Sequence, residues 1–416
     1  MFIDGVGWPL GWAVMAPDTV LQAFLLHLTD SPFVLSLLRG IYAFGVWLPI
    51  LWAPNLIRRI RRRGGFVTLV GMFERFPMLA VALAAPLLAH GSPGAMLAFF
   101  FAAWAVRSVS EGVNLSAYSA LLDEAIPHNY RGKLWGLSSG ISAVLAVPVG
   151  VWVARTIAAH PFPAGYTMVF VAGFGVLVLT LLPLAWVREK RGDRPAPADA
   201  GTGLRSLRLL AVDHQLRRFT GVVVACALAD AALPFYTVHA IRTLGAPESW
   251  AGLFAGIQAA AASVGGTVFG LLSDRIGNRR PLMLAFMIAL ASPLAALVAR
   301  VPSDMHVAFA LLGLASSATM LCRYNMLLDM PPAGNVPQYT AVFYTVVQPA
   351  FALAPVLGSA VVRAWGTAVV FVPAIAATLV AMFLLLRVDE PRTRHGARHA
   401  VGSPADGRRR AGSERC

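Results

Sequence analysis

Asp18, Arg107, Glu111 and Asp230 each lie near the middle of a long apolar run. A charge at the centre of a bilayer costs about 2.5–3.5 kcal/mol on insertion scales, so it needs a partner, a water-filled cavity or a function. A carboxylate in that setting suits proton uptake and release, since burial favours its neutral form and a nearby arginine its charged form. Asp18, Glu111 and Asp230 are therefore candidates for proton coupling. Arg107 and Glu111 are four residues apart on one helical face and can pair, so a permanent structural pair is an equal reading of these two. Asn114 and Tyr118 continue that face and give it a polar stripe that should avoid lipid. Tyr236, Gln258, Arg323, Asn325, Tyr344 and Gln348 are further polar residues in apolar surroundings. Arg39 and the adjacent Glu74 and Arg75 read better as members of interhelical ion pairs.

The elements that must hold these groups follow from composition. Of 416 residues, 57% are hydrophobic and 13% charged, about half the charge of an ordinary globular domain, and mean hydropathy is +0.67. A soluble fold and a disordered chain are both excluded. A membrane helix needs about 20 apolar residues. Twelve such runs occur, here spans 1 to 12: 6–28, 33–56, 65–89, 94–122, 134–158, 164–187, 217–242, 249–273, 281–301, 305–328, 338–363 and 366–387. The first run starts near Met1 without a basic leader or a small-residue cleavage site and reads as a retained helix. The fold class expected is an all-α polytopic membrane protein. Three cysteines, Cys226, Cys322 and Cys416, are too few for a disulfide framework or a four-ligand metal site.

Net charge is +14, from 34 Lys and Arg against 20 Asp and Glu. Odd-numbered connections hold four basic residues, whereas even-numbered connections and the C-terminal tail hold twenty-six. That is the positive-inside asymmetry, which puts both termini in the cytoplasm. The basic excess then meets anionic headgroups, and nucleic acid is not needed to explain it. A Pro-, Gly- and charge-rich stretch divides the chain into 1–187, a linker at 188–216, and 217–390, followed by a basic tail at 391–416 expected to be disordered.

The two halves repeat. Asp18 to His27 matches Asp230 to His239 at an offset of 212, and the basic run from Arg59 matches that from Arg275 at 216. Leu121–Asp123 matches Leu327–Asp329 at 206, and Pro148 matches Pro355 at 207. His27 and His239 fall about half a turn out of phase with their aspartates and are expected at the outer surface. Gly252, Gly256, Gly265 and Gly266 read as points of close helix contact.

Gly270, Asp274, Arg275, Gly277, Arg279 and Arg280 follow the pattern G-x-x-x-D-R-x-G-R-R. With twelve spans in two halves, the chain resembles the major facilitator superfamily over residues 1–390. That resemblance implies two pseudo-symmetric six-helix bundles, with spans 1, 4, 7 and 10 lining a central cavity. Arg107, Asn114, Tyr118, Tyr236, Gln258, Arg323, Asn325, Tyr344 and Gln348 then become candidates to line the substrate cavity. It also implies a cytoplasmic latch in which Asp274 meets the start of span 5 near Lys133, and Arg275 or Arg279 reaches Asp329. The first-half copy departs from the pattern, with Pro54 and Arg58 in place of glycine and aspartate. Asp123 and Glu124 are expected to pair with the basic cluster at 58–63.

The resemblance implies a secondary transporter that moves a small organic solute by alternating access, without cofactor or metal, as a monomer. Proton coupling is expected, with location in a bacterial inner membrane. Arg107 to Gly112 and Ala146 to Gly150 resemble degenerate exporter motifs, which tilts the direction towards efflux. An uptake symporter is the alternative, ahead of a transport-inactive sensor or a polytopic membrane enzyme. No P-loop and no H-E-x-x-H motif occurs.

Overall fold

The computed structural model describes residues 2–50, 60, 63–125, 128–186, 208–331 and 336–391. Pro54, most of the 58–63 cluster, residues 188–207 of the linker and the tail from 392 lie outside them. So do the side chains of Asp123, Glu124 and Lys133.

The described residues form helices joined by short turns. Eleven helices are long and apolar enough to cross a membrane, and they coincide with spans 2 to 12. Span 2 is Pro32–Ile50, span 3 Arg63–Leu88, span 4 Pro93–Ala125, span 5 His128–Ala159 and span 6 Ala164–Leu181 with a 3-10 extension. Span 8 is Trp250–Ile276, span 9 Arg279–Val298, span 10 Met305–Asp329, span 11 Val336–Trp365 and span 12 Phe371–Leu385. Within the stretch expected as a linker at 188–216, Arg208–Val212 is helical, and span 7 begins at His214.

Span 1 is not the continuous helix expected. It is split into Phe2–Val14 and Val20–Leu26. Pro17 is the cause: it has no N–H to donate, and its ring drives Ala16 out of helical geometry. Span 7 breaks at the equivalent place. Helix His214–Ala229 gives way to a 3-10 turn at Asp230–Ala232, then Phe235–Val238 and a π turn at His239–Thr243. Pro234 cannot donate to the Asp230 carbonyl, and Leu233 N–H takes that role at 3.1 Å. The two aspartates matched by the repeat thus sit at the two helix breaks.

The halves meet mainly through span 5 against span 8 and span 2 against span 11. At the first contact the backbones nearly touch. A Cβ on Gly150 would lie 2.5 Å from the Gly252 carbonyl, one on Gly252 2.6 Å from Ala154 N, and one on Gly256 2.8 Å from the Ala146 carbonyl. All lie towards the end of the molecule remote from the linker, here the distal end.

Candidate functional site

In the first half the central charges are paired. Arg39 Nε donates to Asp18 Oδ1 at 2.6 Å, and Nη2 donates to Oδ2. Asp18 is buried and Arg39 half-buried, a bidentate arrangement that fixes spans 1 and 2 together. The break also leaves the Asp18 carbonyl without a helical partner, and Thr237 Oγ1 of the second half donates to it at 2.6 Å.

One layer nearer the linker end, Arg107 Nη2 lies 2.5 Å from Glu111 Oε2, and Tyr42 OH donates to Glu111 Oε1 at 2.9 Å. The guanidinium carbon is 3.9 Å from the Trp12 ring centroid, 4.7 Å from Trp104 and 5.1 Å from Tyr42. Two buried Arg107 nitrogens, Nε and Nη1, have no hydrogen-bond partner and sit among these π faces. Trp104 itself donates to the Leu38 carbonyl at 2.7 Å.

The polar stripe on span 4 then divides. Asn114 Nδ2 donates to Glu74 Oε2 at 3.1 Å, and Trp8 Nε1 to Glu74 Oε1 at 3.3 Å. Arg75 lies 3.5 Å from Glu74 and 3.8 Å from Asp4, and donates to the Leu177 carbonyl. Tyr118 faces Asp4. Asn114 and Tyr118 therefore belong to a buried network with spans 1 and 3, not to the Arg107 group.

The second half is built differently. Asp230 is half-buried, and its carboxylate makes no hydrogen bond or ion pair with any described residue. Arg323 of span 10 contacts the Cys226 thiol at 3.6 Å, one helical turn before Asp230, and lies 5.0 Å from the Phe351 ring centroid. Tyr344, Gln348 and Phe351 share one face of span 11, and Tyr344 is close enough to Arg323 to feel its charge. The charges acting on Asp230 are those of Arg323 and Arg39, opposed by Asp18. These groups converge between spans 1, 2, 7, 10 and 11.

Three cavity candidates fall elsewhere. Tyr236 is buried in the core, accepts from Ser292 Oγ at 3.0 Å and packs edge-on against Phe371. Asn325 Nδ2 points to Ser273 Oγ at 3.5 Å, near the linker end. Gln258 contributes its backbone to the contact with Gly313 of span 10. Among the histidines expected at the outer surface, His239 is buried against Thr367 and Phe371.

The loop motif is also wired differently. Asp274, Arg275 and Arg280 are exposed, and no described residue bonds to them. Asp329 is reached by Asn278 Nδ2 at 2.8 Å, not by Arg275 or Arg279. Arg279 donates its backbone N–H to Glu390 Oε2 and its Nη2 to the Leu386 carbonyl, each at 2.8 Å. Gly277 ends span 8 at φ 82° with the Glu390 carboxylate pressed against it. A Cβ on Gly270 would make only an ordinary contact with Leu321 of span 10, at 3.4 Å. Asn278 and Glu390 are thus functional neighbours that the motif pattern did not indicate.

At the distal end, side chains bridge the halves. His27 Nε2 lies 2.6 Å from Glu248 and stacks on Phe162 at 3.9 Å. Arg242 pairs with Asp30 and donates to the carbonyls of Leu26 and Thr29.

Residues 218–410 match the sequence model of the Major Facilitator Superfamily. The nucleoside transporter NupG superposes with a TM-score of 0.68 at 10% identity, over 93% of this chain and 98% of its own. A D-xylose–proton symporter gives 0.67 at 14% identity, over 94% and 98%. The E. coli fucose–proton symporter FucP gives 0.58 at 16%, over 93% and 98%. The fold is that of the Major Facilitator Superfamily. No curated protein sequence matches the chain. The sequence match covers the second half of the chain and the structural likeness extends over both halves, and the twelve expected spans are accounted for once span 1 is read as a broken helix.

Proposed function

We propose that this protein is a secondary active transporter that carries a small organic solute by alternating access of its two halves, with protons as the coupling ion and Asp230 as their carrier. One observation supports the assignment above the others. Of the three candidate carboxylates, Asp18 is held by Arg39 and Glu111 by Arg107, while that of Asp230 has no bonding partner among the described residues. A carboxylate that no neighbouring group bonds is free to take a proton, and it can release that proton when an arginine or water reaches it. The basic linker and tail orient the linker end to the cytoplasm of a bacterial cell membrane, so contact at the distal end corresponds to an inward-facing arrangement.

The test is transport by the full chain in proteoliposomes, using whichever compound of a radiolabelled panel of sugars, nucleosides and organic acids is taken up. Asp230→Asn should cut accumulation driven by a pH gradient at least tenfold while solute exchange at equal pH persists. Full accumulation by that variant refutes the proton assignment, and absence of flux for every compound favours a sensor.

A further inference from the structure

We infer that an organic monoanion binds on Arg323 where spans 7, 10 and 11 meet, and that the anion travels together with the proton on Asp230. The inference rests on the proton assignment above and adds the substrate class and the direction of coupling.

Among the described residues no carboxylate pairs with Arg323. Its contacts are a neutral thiol at 3.6 Å and the face of Phe351 at 5.0 Å. Asp230 stands one helical turn beyond that thiol, on the same face of span 7. The two opposite charges therefore neighbour the same turn of span 7, and no ion pair joins them. The other charged or titratable groups facing Asp230 are Arg39 and Asp18, which hold each other, and Cys226 and Tyr236. Tyr344 borders Arg323.

Unbalanced charge is costly in a low-dielectric interior, and this fixes which loadings are allowed. With neither proton nor anion bound, ionised Asp230 and Arg323 sum to zero. With one proton on Asp230 and one monoanion on Arg323, the sum is again zero. A proton alone leaves a net positive charge, and an anion alone leaves a net negative one. Both half-loaded forms carry a buried charge through the closed intermediate; the empty and fully loaded forms do not. Proton and anion therefore cross together, which is symport. A dianion or a cation breaks the balance, and a neutral solute leaves Arg323 unused. The rings of Phe351 and Tyr344 beside the guanidinium suit an apolar or aryl body on the anion.

Thermal unfolding of the purified full chain tests this with lactate, gluconate and benzoate, against uridine, xylose and choline, at pH 5.5 and 7.5 and matched ionic strength. At least one monoanion should raise the Tm, more at pH 5.5 than at pH 7.5. Arg323→Gln should lose the shift, and Arg323→Lys, which keeps the charge, should retain it. Asp230→Asn, a mimic of the protonated acid, should bind the same anion equally at both pH values. Stabilisation by neutral or cationic compounds alone, by none of the monoanions, or undiminished in Arg323→Gln overturns the anion site. If Arg323→Gln does not fold, the pH dependence and its loss in Asp230→Asn decide the matter. Anion shifts lost in Arg323→Gln but still pH-dependent in Asp230→Asn leave the anion site standing and overturn Asp230 as its proton carrier.

Discussion

With its guanidinium 3.9 Å from Trp12 and 4.7 Å from Trp104, Arg107 is held by ring faces as well as by Glu111. Removing one member of such a buried pair strands the other, at about 3–5 kcal/mol, whereas removing both is far milder. Glu111→Gln should therefore destabilise the protein more than Arg107→Gln/Glu111→Gln, measured as the unfolding midpoint in detergent. The same pair of variants separates structure from coupling. If the double variant keeps gradient-driven transport, Glu111 is a structural neighbour of Arg107. Asp18 is to be read the same way, since its Arg39 partner neutralises it within the first half. The candidate carboxylates were visible from their types and their apolar surroundings. The partner of Glu111 was legible as well, in the four-residue spacing to Arg107; that of Asp18 was not, because Arg39 meets it only through the crossing of spans 1 and 2, and nothing in local spacing encodes that crossing.

Helices here are positioned by proline and glycine more than by polar contacts. Pro17 and Pro234 open the two first helices of the halves beside the matched aspartates, and the Asp18 carbonyl so freed is taken by Thr237 across the interface. Gly150, Gly252 and Gly256 let spans 5 and 8 touch backbone to backbone. A side chain on Gly256 would sit 2.8 Å from the Ala146 carbonyl, an atom that moves only with its helix. Gly256→Val should push the two spans apart and weaken distal closure. Spin labels at the distal ends of spans 5 and 8 should report a longer or broader distance than in the parent chain, and an unchanged distribution would show that closure does not depend on this contact. The spans themselves were legible because twenty apolar residues partition into lipid whatever their order. The break in span 1 was legible too, in Pro17, but hydropathy averaged over a span does not register one missing N–H. The wiring of the 270–280 loop was not legible, since Glu390 comes to Gly277 from the far end of span 12.

For the whole molecule, the distal bridges and the exposed loop motif describe one state. Asp274 and Arg275 are unengaged while His27–Glu248 and Arg242–Asp30 join the halves at the other end. Those ion pairs are weak holders: the Glu248 and Asp30 side chains are 41% and 87% exposed, and such pairs contribute about 0–1 kcal/mol each. The backbone contact of spans 5 and 8 supplies the closure, and the ion pairs set its register. Alternating access requires that the bridges part in every cycle, so a covalent tie across them must stop transport. In a chain whose three cysteines are replaced by alanine and which still transports, His27→Cys/Glu248→Cys should be joined by a short thiol–thiol cross-linker. Transport should then fall to background, and a cleavable linker should restore it on reduction. The cross-linked protein should still show the anion-dependent Tm shift, because Arg323 and Asp230 lie nearer the linker end than the tie does. Transport at the unlinked rate through a fully cross-linked population would mean that the distal bridges are not part of a moving gate.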